Sequence, residues 1–521
     1  MQHTLARLIN RSRPIVFTAG IFFAVLTAIG CASRLPTAFP NTSTASVLDT
    51  SALGQIKTFL DNTLHAAPLE TTLWGIDVRS IDSNEQVYTN NPDMLLTPAS
   101  TLKIITLAVA SQALGWDDRF ETTLFANGHI ERNVLHGDLI VRGSGDPTID
   151  TDVLTSWVEK LRMQGIHRVT GNIIGDDRIT IGQDLQRSGT PSPPQLGFGW
   201  SWDDLAFGFA APAGPLQYQE SVVAIQITPS PTVNAPAELT IQTAGSGLKL
   251  VNQVITASRT EPSLIQLRRT ANTPNLVVSG SIGLGSSAVA RSVSVANPTS
   301  FFVQALHTAL EAEGVVVSGD PVDIDRLSES QQDSATNELN PLLTNQSEPL
   351  STIAVDMMKR SQNLFAESIY RRLGFSFGDS SSVIVTQLLA DWGIQRNRAI
   401  VVDGSGLSRY NYLTASALTD VLVRLYRNES NQTFFLATLP IANEDGTLRN
   451  RFRGTASAGN ARAKTGSMSH VRALAGYVKT ADGEQLAFTI LANNFSANPT
   501  DVVNAIDAFV SALATMSRGD S

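Results

Sequence analysis

Two stretches of one texture enclose a stretch of another. Before residue 115 and again after residue 350, apolar residues recur at helical spacing beside short alternating runs. From Phe120 to about residue 295 the pattern alternates like strands and is broken by Pro, Gly and Ser. A chain with this layout folds most economically as one α/β domain built from its two ends, with a β-rich body inserted between them. The length of 521 residues points the same way, because it exceeds one ordinary core and suits roughly three domains.

Local signals fill in the frame. The run 47–65 reads as a helix, 72–91 as a hairpin turning at Ser83-Asn84, and Thr97 to Gly115 as a helix stopped by glycine. In the middle block Asn127-Gly128 is a strong hairpin signal, and a short helix is expected near Ser156 to Gln164. A helix capped by Gly314 and a following strand occupy 300–318, and the polar run Ser328 to Glu348 reads as a surface linker. Helical texture returns at 350–374. The last hundred residues give a strand through Lys464, a hairpin turning at Asp482-Gly483, and a closing helix from Asp501 to about Met516.

The N-terminus is different in kind. Arg7, Arg11 and Arg13 precede the apolar run Ile15 to Gly30 and the chain's single cysteine, Cys31, which is the layout of an export signal. The segment "LTAIGC" is similar to a bacterial lipobox, with Ala28 where leucine is usual, so Cys31 is a lipidation candidate and a route to membrane attachment; the alternatives are an uncleaved signal anchor or a signal cut elsewhere. Residues 32–45 read as a tether. One cysteine permits no disulfide within the chain. A formal charge of −9, with no basic stripe, argues against a nucleic-acid grip. The seven histidines show no His-x-x-x-His pattern, His470 reads as a strand-surface residue, and neither a metal nor another cofactor is expected.

Three short motifs carry chemistry. In "TPASTLKIIT", Ser100 and Lys103 stand three apart, on one face of the expected helix. A serine hydroxyl becomes a nucleophile when a base takes its proton, and a lysine serves as that base when burial or a second cation lowers its pKa; Leu102, Ile104 and Ile105 supply the burial. Alone, the pair reads equally well as a solvated helix face. Ser361 and Asn363 in "KRSQNLF" add a second hydroxyl, able to relay a proton, and an amide, able to orient a lysine or a substrate carbonyl. The similar Ser496 to Asn498 reads as a loop coincidence. In "AKTGSMS", Lys464 offers a positive charge, Thr465 a hydroxyl, and Gly466 room for a substrate backbone, against the plainer reading of an exposed turn. Lysine occurs only seven times, so its appearance in two of the motifs is informative.

Ser-x-x-Lys, Ser-x-Asn and Lys-Thr-Gly, in that order, form the signature of penicillin-binding proteins and class A β-lactamases. The chain resembles in particular the D-alanyl-D-alanine carboxypeptidases and endopeptidases of serine peptidase family S13, the class C low-molecular-mass penicillin-binding proteins. Supporting stretches are "GDLIVRGSGDPT" at 137–148, "GWSWDDL" at 199–205, "RSQNLFAESIYRRLG" at 360–374, "DGSGLSR" at 403–409 and "NEDGTLRNRF" at 443–452. Two departures stand out: Gln362 occupies a position where aspartate is common, and an Asn-bearing run is replaced by "APAGPLQYQES" at 211–221.

The resemblance implies an α/β (α+β) fold, in which a β-lactamase-like transpeptidase domain with an antiparallel sheet flanked by helices is interrupted by β-rich inserted domains. It divides the chain into a signal at 1–31, a tether at 32–45, a penicillin-binding domain at 46–121 and 340–521, a second domain at 122–219 and 296–339, and a third at 220–295. It also implies an exported, periplasmic or cell-envelope enzyme that acts on peptidoglycan stem peptides ending in D-Ala-D-Ala and is acylated by β-lactams. Ser100, Lys103, Ser361, Asn363 and Lys464 would be catalytic, with the backbone N–H groups of Ser100 and Ser467 as oxyanion donors. Thr465, Gly466 and Ser467 would bind substrate, and Asp203, Arg409 and Met468 match the family's pocket for a diamino-acid side chain, although Asp203 also reads as a helix cap. The competing functions are a β-lactamase on the same scaffold, against which the region 363–464 lacks a Glu-x-x-Leu-Asn context, and an inactive wall-binding protein, against which the intact Ser100, Lys103 and Ser361 argue.

Overall fold

The structure, a computed structural model, describes residues 52–178, 195–270 and 273–517. The export-signal, Cys31 and tether readings lie outside the described residues.

Both ends of the chain meet in one five-stranded antiparallel sheet. Its order is Arg462–Met468, Val471–Lys479, Gln485–Asn493, Leu73–Ser80 and Gln86–Asn90, so a strand from residue 73 is paired along its length with one from residue 493. Successive side chains point to opposite faces, and each face buries against helices. On one side Trp74, Ile76, Phe488 and Ile490 pack with Leu60 and Phe509 of the terminal helices Ala52–His65 and Pro499–Thr515. On the other, Ala475, Tyr477 and Ala487 join a larger cluster containing helices Lys103–Ala113, Leu350–Lys359, Asn363–Phe377 and Ala415–Arg427. The Lys103–Ala113 helix is buried from Lys103 through Ser111, so it is apolar almost all round rather than amphipathic, as a helix at the centre of a domain must be. Its first turn is tighter than expected, a 3-10 stretch over Ala99–Leu102.

Between the ends lie a seven-stranded sheet and two three-stranded sheets. Leu139, Trp157, Ile225, Leu276, Phe301 and Phe302 belong to one continuous cluster of buried side chains that spans all three.

Several expectations are corrected here. Asn127-Gly128 is no turn: both residues lie inside the Glu121–Glu131 strand, and the hairpin turns at Arg132-Asn133, whose φ values of 49° and 67° are those of a type I′ turn. Arginine is unusual there, so the signal was weak at the real turn. Gly128 instead faces Gly137 across the ladder, with φ of 141° and 150°. The helix expected near Ser156 begins at Thr151, where Asp150 caps it by accepting from the Val153 N–H. The polar run 328–348 is also structured, with a helix at Glu329–Thr336 and an edge strand, Asn340–Gln346, paired to Glu121–Glu131. Backbone hydrogen bonding holds that strand in a sheet although its side chains carry no strand pattern.

The paired glycines give a test remote from the three sequence motifs. A Cβ at Gly137 would lie 1.9 Å from the Asn127 carbonyl oxygen. Gly137→Ala should lower stability to denaturant by about 1–3 kcal/mol while the folded protein keeps its rate of reaction at Ser100; chemical denaturation and an activity assay read the two effects separately.

Candidate active site

Ser100 and Lys103 are placed by a strained turn at the start of the buried helix. Ala99, immediately before the serine, has φ of 47°, a conformation disfavoured for any residue with a Cβ. Lys103 is the first residue of the α-helix proper and is 0% exposed. Its Nζ lies 2.8 Å from Ser100 Oγ, within hydrogen-bond reach, and donates to Asn363 Oδ1 at 2.7 Å and the Ser405 carbonyl at 2.7 Å. Burial lowers its pKa to about 7, with the Asp403 and Glu367 carboxylates opposing. The positive end of the helix dipole adds to the disfavour of a cation at this position.

Ser361 and Asn363 occupy the break between two helices. Ser361 has φ of 59°, and Asn363 opens the second helix. The Asn363 amide is fixed at both ends: its oxygen accepts from Lys103, and its Nδ2 donates to the Phe209 carbonyl at 2.8 Å. The two departures from the family pattern touch one another, since the Gln362 amide donates to the Glu220 carboxylate, which also pairs with Arg360 at 2.7 Å. An aspartate at 362 would set two carboxylates face to face, so glutamine here and glutamate in the altered run form a matched pair.

Lys464 arrives on the edge strand of the five-stranded sheet, 0% exposed. Its Nζ donates to Ser361 Oγ at 2.7 Å and to the Thr465 carbonyl at 2.8 Å. Burial, and then the neighbouring Lys103 amine, hold its pKa well below the usual lysine range. The expected positive charge on Lys464 is therefore modified. Both amines are destabilised as cations, and the carboxylates that offset this stand on the Lys103 side. Thr465 Oγ1 donates to Thr447 Oγ1 at 2.9 Å, which gives the "NEDGTLRNRF" stretch a place at the site. Gly466 leaves room for protein as well: a Cβ there would lie 2.7 Å from the Pro98 carbonyl oxygen and 3.3 Å from the Ala99 side chain, so glycine lets the strand press against the turn carrying Ser100. Ser467 is exposed beside it.

The third polar partner of Lys103, the Ser405 carbonyl, has no counterpart in the sequence reading. It belongs to the "DGSGLSR" loop, where Asp403 accepts from the Gly406 and Ser408 N–H groups, from Asn411 Nδ2 at 2.7 Å and from Trp200 Nε1 at 3.0 Å. A main-chain acceptor leaves no mark in side-chain spacing; the dense Gly and Ser usage of 403–408 is the only trace of it.

The expected side-chain pocket is assembled in part. Arg409 reaches the end of the Lys464 strand, where its guanidinium donates to the Ser469 carbonyl at 3.2 Å, next to half-buried Met468. Asp204 is the carboxyl that senses Arg409, which opposes the upward push that burial gives it. Asp203 is exposed and lines an opening of about 500 Å³ together with Gln266 and Arg268 of the inserted strands. It caps no helix, since the next helical turn, Gly208–Ala210, starts after Phe207. His470 stands at the exposed turn between two strands, its Nδ1 2.9 Å from the Phe495 carbonyl oxygen.

Comparison with known proteins bears on the family and the fold. A D-alanyl-D-alanine carboxypeptidase of Actinomadura sp. (strain R39) is 30% identical over 471 residues, covering 87% of this chain and 84% of the relative. D-alanyl-D-alanine carboxypeptidase DacB of Haemophilus influenzae is 28% identical over 438 residues, covering 81% of this chain and 85% of its own. Among solved structures, penicillin binding protein 4 (dacB) from Haemophilus influenzae superposes with a TM-score of 0.76 at 25% identity, over 88% of this chain and 99% of that one. The D-Ala-D-Ala carboxypeptidase 3 (S13) family matches residues 56–516, and the chain belongs to that family.

Proposed function

We propose that the chain is a serine D-alanyl-D-alanine carboxypeptidase that works through an acyl-enzyme on Ser100, with Lys103 as the base. The observation that carries this reading is the fully buried Lys103 amine, 2.8 Å from Ser100 Oγ, with its pKa lowered to about 7. As the neutral amine it has two N–H bonds for Asn363 and Ser405 and one lone pair for the serine proton. Ser100 then attacks the carbonyl of the penultimate D-alanine. Backbone N–H groups of Ser100 and Ser467 receive the oxyanion, each such donor being worth roughly 3 kcal/mol. Ser361, held by Lys464, passes the proton to the departing D-alanine amine, and water later resolves the ester.

Lys464 selects the substrate in this reading. Its cationic form is disfavoured by burial and by Lys103, and a terminal carboxylate arriving beside it restores the charge and gains a charge-assisted hydrogen bond. Thr465 and Gly466 line the same strand edge. Arg409 and Met468 receive the side chain of the diamino acid, with Asp203 and Asp204 as candidate partners for its amine. Cross-linked peptides present the same D-alanyl carbonyl, so endopeptidase cleavage uses the same site, and a β-lactam acylates Ser100 in place of substrate. The substrate lies outside the cytoplasm, which suits export, with Cys31 as a lipid attachment point. For the expected division, 46–121 with 340–521 against 122–219 with 296–339 and 220–295, the separate side-chain clusters support only an inserted body set apart from the two ends of the chain: its parts share one cluster, and the Asn340–Gln346 strand pairs into the inserted sheet.

Two outcomes test the assignment. Labelled penicillin should become covalently attached to the chain, be absent from Ser100→Ala, and leave only slowly; rapid turnover of the label would identify a β-lactamase, and no labelling an inactive binder. Lys464→Ala should slow attack on peptides with a free C-terminal carboxylate about tenfold to a hundredfold more than on the amidated peptides, the worth of one hydrogen bond to a charged group. Equal losses on the two substrates would remove Lys464 from carboxylate recognition.

A further inference from the structure

Glu367 is a buried carboxylate that the mechanism above does not use. It lies one helical turn beyond Asn363 on the same face of the Asn363–Phe377 helix and is 2% exposed. Its Oε1 accepts from two successive backbone amides, Gly404 N–H at 3.0 Å and Ser405 N–H at 2.8 Å. The same peptide segment is held from its other side by the buried helix. Thr106, three residues after Lys103, donates to the Gly404 carbonyl at 2.7 Å, and Lys103 donates to the Ser405 carbonyl at 2.7 Å. Gly404 is required by this closeness, because a Cβ there would come within 2.3 Å of the Ala366 carbonyl oxygen.

The grip matters because of what a neutral amine can do. With its two N–H bonds directed at Asn363 Oδ1 and the Ser405 carbonyl, the lone pair of Lys103 is left for the Ser100 hydroxyl. If the Ser405 carbonyl moved away, the released N–H would find its nearest acceptor in Ser100 Oγ itself, and the amine would donate to the serine where it must accept.

We infer that Glu367 is a positioning residue for acylation: by holding the Gly404 and Ser405 amides it keeps the Ser405 carbonyl on Lys103 and so leaves the amine's lone pair facing Ser100. This rests on the reading of Lys103 as the base. The titratable and charged groups around Glu367 are Asp403 from the loop, Arg371 and the neutral phenol of Tyr370 from its own helix, and Lys103 from the buried helix. Burial and Asp403 push the Glu367 carboxyl up to about 7, with Arg371 opposing, so its charge changes over the range in which Lys103 titrates. Whether ionised or protonated, its Oε1 can accept both amides, and geometry and charge can therefore be separated by substitution.

The experiment measures the acylation rate with fluorescent penicillin on the full chain, with thermal unfolding to report folding. Glu367→Gln keeps an acceptor oxygen and should stay within about tenfold of the parent. The acid limb of its pH profile should move to lower pH, since one of the two carboxylates that favour the Lys103 ammonium is gone. Glu367→Met fills the volume but accepts nothing, and should lose about a hundredfold, the lower range of a general base's contribution. A Met variant within threefold of the parent, or a Gln variant as slow as Met, would overturn the inference. Should the Met variant not fold, a loss beyond tenfold in the Gln variant overturns it alone. Lys103→Ala is the control: rapid acylation there would defeat the base assignment itself, an outcome distinct from a failure at Glu367.

Discussion

A lysine amine kept out of water at the first residue of a helix is the constraint around which the protein is arranged. A fall in pKa from 10.5 to about 7 corresponds to about 5 kcal/mol of disfavour for the charged form. That disfavour has to be sustained by packing, because any water reaching Nζ would restore the ammonium. The Lys103–Ala113 helix supplies the packing by being buried through Ser111, with helices Asn363–Phe377 and Ala415–Arg427 among its neighbours. Around the amine the polar partners are few and each is placed: one hydroxyl, one side-chain amide oxygen and one main-chain carbonyl.

The fold follows from the need to bring those partners together from distant parts of the chain. Asn363 and Ser405 lie 260 and 302 residues beyond Lys103 in sequence. The sheet that brings Lys464 to Ser361 is closed by pairing Leu73–Ser80 with Gln485–Asn493. Because the two ends of the chain build that sheet, the inserted strands can form their own core without interrupting it. The contact between Gly466 and the Pro98-Ala99 turn joins the two halves of the site directly and fixes the strand edge against the nucleophile's turn. Positive φ at Ala99 and at Ser361 marks where the backbone is bent away from its preferences to present the two hydroxyls.

Much of this was legible because the motifs carry side-chain chemistry. Ser100, Lys103, Ser361, Asn363 and Lys464 are recognisable by type and order, and the structure gathers them around two buried amines. What could not be read depends on the main chain or on pairing between distant residues. The Ser405 carbonyl has no side-chain signature, the hairpin turns at Arg132-Asn133 while Asn127-Gly128 lies inside the strand with Gly128 opposite Gly137, and the Asn340–Gln346 strand is held by its neighbour's backbone rather than by its own pattern. The link between Gln362 and Glu220 explains two departures from the family pattern that looked unrelated in sequence.

The central claim is that burial makes the uncharged form of the Lys103 amine available near neutral pH. It is tested most directly by an NMR pH titration of the full chain with lysine labelled at ¹³Cε, with Lys103→Arg and Lys464→Arg used to assign the two buried signals among seven lysines. The account predicts that the Lys103 signal titrates near pH 7 and that the Lys464 signal also lies well below the ordinary lysine range. A Lys103 signal that titrates near 10.4 with the exposed lysines would contradict it.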